Sequence, residues 1–71
     1  SYALNLRSTD RITRFYAAVV LRFYYTDEAL KMLDERVNGD SGERDSQIRG
    51  KLIDSRDALL KAGFRLPAGR A

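Results

Sequence analysis

A four-three repeat governs the first half of this chain. Ile12, Tyr16, Val19, Phe23, Thr26, Leu30, Leu33 and Val37 follow one another in alternating steps of four and three, and all but Thr26 are apolar or aromatic. A 3.5-residue repeat held this long is the seam of a helix packed lengthwise on other helices. It predicts one helix over about 9–37, roughly 40 Å long. Ser8 or Thr9 stands where a cap is needed, and Asn38-Gly39 offers a left-handed residue to end the helix. Thr26-Asp27-Glu28 carries a capping pattern of its own inside the repeat, so a break there, giving three helices in place of two, is the alternative.

The strongest punctuation is Asn38-Gly39-Asp40-Ser41-Gly42, which marks a turn. A second helix is predicted over about 41–62. Asp40 with Glu43 forms a capping box at its start, or Ser41 takes the cap. Its seam is Ile48, Leu52, Ser55, Leu59 and Ala62, widened by Ile53 and Leu60. Gly63 is placed to stop it, with Phe64 folding back on the last turn. Residues 1–7 read as an N-terminal arm and 64–71 as a C-terminal tail, loose over 68–71. The fold expected is thus one all-α domain, an antiparallel helical hairpin. Tyr2-Ala-Leu-Asn-Leu-Arg7 alternates weakly, like a short strand. With that strand the order resembles the ribbon-helix-helix regulators, which dimerise through it, although the first helix here is longer than their pattern.

One hairpin is too little to cover this sequence. From Phe15 to Tyr25 every residue but Arg22 is apolar or aromatic, and a helix hydrophobic nearly all round needs neighbours on several sides. A 71-residue chain is marginal alone. With no cysteine and no histidine it has neither a disulfide nor a thiolate or imidazole metal site to staple it. The expected remedy is a homodimer forming a four-helix bundle, with Phe15, Tyr16, Val19, Val20, Phe23 and Tyr24 at the interface; the alternative is that the N-terminal and C-terminal segments fold over this patch.

Charge is distributed in blocks. Residues 1–26 carry four arginines against Asp10, residues 27–47 carry three basic and seven acidic groups, and residues 48–71 carry six basic groups against Asp54 and Asp57. On a helix reaching back to Arg7, the side chains of Arg7, Arg11, Arg14 and Arg22 share one face with Ala18 and Tyr25, away from the seam. That face is predicted to meet solvent or a phosphate backbone. Arg49 and Arg56 on the second helix widen it. Asp34, Glu35, Asp40, Glu43 and Asp45 lack calcium-loop spacing and read as solvated charges and caps.

Most catalytic constellations cannot be assembled from these residue types, and no glycine-rich phosphate loop is present. Residues 48–60, with Arg49 before an Ile53-Asp54-x-x-Asp57-x-Leu59-Leu60 pattern, resemble the first helix of the helical chorismate mutases. The likeness covers 13 of 71 residues, leucine-rich amphipathic helices share such patterns, and no activity is carried over from it. The expectation is therefore a non-enzymatic protein without cofactor or metal and without a membrane span, intracellular, cytoplasmic or nuclear. Its role would be shape and backbone recognition of duplex or structured RNA or DNA through the arginine face. The alternative is a protein–protein interaction module (an adaptor, regulator or assembly subunit) using the aromatic stretch 15–25.

Overall fold

The computed structural model describes residues 1–39 and 41–67. These form four helices, α1 (Tyr2–Asn5), α2 (Arg11–Val20), α3 (Asp27–Asn38) and α4 (Ser46–Lys61), with a 3-10 turn at Leu21–Phe23 following α2. Among the described residues there is no strand. The all-α expectation holds, and the single helix over 9–37 does not. A rod of roughly 40 Å exceeds the longest dimension of the molecule, which measures 31 × 24 × 21 Å.

The first helix is broken where Thr26 offers a cap. Its backbone is extended, and its hydroxyl accepts from the amide of Ala29 at 3.0 Å, while Asp27 and Glu28 occupy the positive end of α3. The break frees the two halves of the repeat from a common phase. In α3 the seam is buried as expected at Leu30, Leu33 and Val37. In α2 the buried residues are Ala17 and Ala18, joined by Leu21 of the following turn, while Ile12, Tyr16 and Phe23 face outward at 62–64% exposure. Small side chains win this contest because they let α2 approach α4 closely. There the fully buried Ser55 hydroxyl donates to the carbonyl of Ala18 at 2.6 Å.

Other boundaries also move. Asp10, not Ser8 or Thr9, caps α2, accepting from the Thr13 amide and hydroxyl, while the Ser8 hydroxyl accepts from the Asp10 amide. The cap of α4 is Asp45, which accepts from the amides of Gln47 and Ile48. The helix therefore starts several residues after Ser41, and the expected Asp40 cap lies outside the described residues. Gly39 ends α3 without a left-handed turn, at φ −73° and ψ 164°. A side chain is excluded there by contact, since an added Cβ would lie 2.5 Å from the Glu35 carbonyl oxygen.

The C-terminal stop is as expected. Gly63 has φ 101°, its amide donates to Leu60 and the Phe64 amide donates to Leu59, which is the paired bonding of a Schellman cap. Phe64 packs on the core and stacks on Tyr25. The arm is not a strand. Ser1 caps a helical turn, and Leu6 is buried under it. The expected loose segment 68–71 lies outside the described residues.

Helix α4 is the centre of the molecule. It packs against α2, the 3-10 turn and α3, and its seam is buried at Ile48, Leu52, Ser55 and Leu59. Ala62, the last expected seam position, is exposed.

Candidate interaction surfaces

Two surfaces stand out, one apolar and one basic. The apolar surface is the outer side of α2. Ile12 and Tyr16 lie in one row with half-buried Val19, and Phe23, Tyr24 and Tyr25, also exposed, follow in and after the 3-10 turn. Beside its start, Ile12, Phe15 and Tyr16 line a shallow apolar depression with Arg11 and Gln47.

Of the six interface residues expected from sequence, Tyr16, Phe23 and Tyr24 are exposed. Phe15, Val19 and Val20 are half-buried, with Phe15 packed on the core and the Lys51 ammonium 6.0 Å above its ring. Tyr24 packs edge-on against Tyr2, and their hydroxyls are hydrogen-bonded at 3.0 Å. That bond holds the Tyr24 phenol above its ordinary pKa.

The six arginines singled out from sequence do not form one outward face. Ala18, expected to lie among them, is fully buried. Arg11 bonds Asp45 at 2.7 Å and also donates to Gln47. Arg14 bonds Glu43 at 2.9 Å and donates to the carbonyls of Ser8 and Thr9. Arg22 donates to the Val19 carbonyl, Arg49 to the Val37 carbonyl, and Arg56 to Asp34. Arg7 alone of the six has no such bond among the described residues, and it is exposed.

These pairings explain the charge blocks. Arginines from both basic segments reach onto the acidic middle one, through Arg11–Asp45, Arg14–Glu43 and Arg56–Asp34. The Arg11 hydrogen bond, followed by the Ile48 amide, holds the Asp45 carboxyl below the usual carboxylate range. Asp10 is lowered first by the Thr13 hydroxyl. Glu43 and Asp34 are buried, contrary to the solvated charges expected of this cluster. Asp34 also accepts from the Asn38 amide group at 2.8 Å.

What sequence reasoning missed is a second grouping of arginines. Arg7 and Arg14 meet Arg36 and Arg44 around an open polar depression, with Glu43 among its lining residues. Arg36 and Arg44 lie in the acidic segment, where no charge pattern groups them with a basic surface.

Among the described residues no group of three or more acidic side chains is arranged to hold a metal ion, and no helix is long and apolar enough to cross a membrane. No family model, curated protein or solved structure matches this chain.

Proposed function

We propose that this chain is a non-catalytic interaction module that pairs with a second copy of itself through the outer row of α2. The observation that carries the reading is the exposure of Ile12, Tyr16 and Phe23 at 62–64%. Three large exposed apolar side chains on α2 and the turn after it, followed by two exposed tyrosines, are the kind of surface that marks an interface.

The spacing of the row favours a second copy as occupant. Ile12, Tyr16 and Val19 keep the four-three steps of a helix–helix seam within α2, and Phe23 continues the exposed apolar surface in the turn beyond it. An isologous dimer places the same row on both sides and so satisfies it with itself. The core is also small, with eleven buried apolar residues among the described ones, three of them alanines, and chains of this size gain stability by association. Backbone recognition of nucleic acid by the six arginines has narrower support, because five of them are already bonded within the chain.

Sedimentation equilibrium across a concentration series tests the reading. The wild type is expected to be dimeric, and Tyr16→Glu/Phe23→Glu monomeric with an unchanged helical circular dichroism spectrum. Leu4→Glu, at an exposed apolar position on α1 and not α2, is the control and should leave the dimer intact. A folded monomer at every concentration overturns self-pairing, as does a dimer that survives the double substitution.

A further inference from the structure

The arginine-lined depression is independent of the α2 row. Its four guanidinium groups come from separate stretches: Arg7 after α1, Arg14 on α2, Arg36 on α3 and Arg44 in the connection before α4. Among the described residues that line it, Glu43 is the one carboxylate. Among the described residues four positive charges therefore face one negative charge, and that carboxylate is already engaged. Its Oε1 lies 2.9 Å from Arg14 Nε and 3.7 Å from Arg36 Nη2, and its Oε2 accepts from the Asp45 amide at 3.0 Å.

Arg36 is the most constrained member. Its side chain is 11% exposed, one Nη donates to the Ser41 carbonyl, and its buried Nε has no partner among the described residues. Burial, reinforced by repulsion from Arg7 and Arg14, pulls its pKa below the ordinary guanidinium value, though an arginine stays charged at neutral pH. Arg7 and Arg44 are exposed and make no ion pair or side-chain hydrogen bond among the described residues. Two guanidinium groups are thus held in place by Glu43 and two are free to close over a ligand.

We propose that this depression is a binding site for one compact phosphate-bearing anion. Guanidinium forks match phosphate oxygens in geometry as well as in charge. A dianion would offset most of the local excess, which Glu43 alone does not. The arrangement favours a compact ligand over an extended backbone. The four arginines surround one depression, and Arg11, Arg22, Arg49 and Arg56 are bonded elsewhere, so those four do not extend it.

Isothermal titration calorimetry and thermal shift at low salt test the site, with inorganic phosphate, pyrophosphate and single-stranded oligonucleotides of increasing length as probes. Pyrophosphate is expected to bind one per chain and to raise the melting temperature, as a ligand of the folded state must, with phosphate weaker. Arg7→Gln/Arg44→Gln removes the two uncommitted guanidinium groups without touching Glu43, so it should fold normally and bind pyrophosphate at least about ten-fold more weakly. Oligonucleotide affinity should not grow with length, and pyrophosphate should compete with it. No binding of either phosphate, or binding unchanged in the double variant, overturns the site. Oligonucleotide affinity that climbs with length and resists pyrophosphate overturns the compact ligand in favour of nucleic acid.

Discussion

Ser55 and Ala18 set how closely α2 and α4 approach one another. Both are fully buried, and the serine hydroxyl donates to the alanine carbonyl at 2.6 Å. A larger residue at either position would force the helices apart, and a methyl in place of the hydroxyl would lose the bond. Ser55→Ala is therefore expected to cost about 1 kcal/mol, and Ser55→Leu about 1–3 kcal/mol through overpacking, both read from urea denaturation. Part of this was legible: Ser55 stands on the seam of the second helix, a polar residue among Ile48, Leu52 and Leu59. Its partner was not legible, because the repeat through Ile12 and Phe23 directs attention to the opposite face of α2. Gly39 gives a similar lesson. Its place as the end of α3 followed from sequence, but the reason is contact with the Glu35 carbonyl, not a left-handed backbone.

At the scale of elements, the decisive event is the interruption of one apolar repeat by a cap. Thr26 is the only polar member of the series from Ile12 to Val37, and Asp27 and Glu28 follow it, so the capping signal could be read directly from the sequence. What periodicity could not decide was whether cap or repeat prevails. Tertiary packing decides it: a break at 24–26 lets Leu21 and Leu30 both turn inward and lets Tyr25 stack on Phe64. Substituting Thr26 by alanine removes the acceptor for the Ala29 amide and should cost about 1 kcal/mol. Thr26→Ser keeps the hydroxyl and should cost much less. Equal losses in the two variants, measured by chemical denaturation, would show that the cap does not stabilise the break. The start of α4 was misplaced for a related reason. Ser41 and Asp45 are both capping residues, and between them Glu43 is buried beneath Arg14 and Arg36, a contact that favours the later start.

Across the whole molecule, the charge blocks act as a pattern for folding more than as a surface field. The basic segments at either end and the acidic one in the middle are pinned together by Arg11–Asp45, Arg14–Glu43 and Arg56–Asp34. Sequence showed the blocks but not which arginines face which carboxylates, since that depends on how α2 and α3 are arranged around α4. A consequence for pH follows from Asp10 and Asp45, whose carboxyls are both held below their ordinary value in the folded chain by hydrogen bonds and a guanidinium. The unfolded chain, with carboxyl pKa values near 3.9, then takes up protons before the folded chain does. The stabilisation from these two caps is complete above the unfolded value and is lost as pH falls through the lower folded value. Melting temperature should thus be nearly flat from neutral pH down to about 5, and fall steadily below about 4. Asp45→Asn isolates the effect, because asparagine caps a helix about as well as aspartate but cannot carry the charge that Arg11 meets. The variant should melt somewhat lower at neutral pH and lose less on acidification, so that the two curves converge at low pH. Added salt, which screens exposed pairs, should narrow the neutral-pH difference. Parallel acid limbs in wild type and variant would mean that the Arg11–Asp45 pair contributes nothing to the pH dependence.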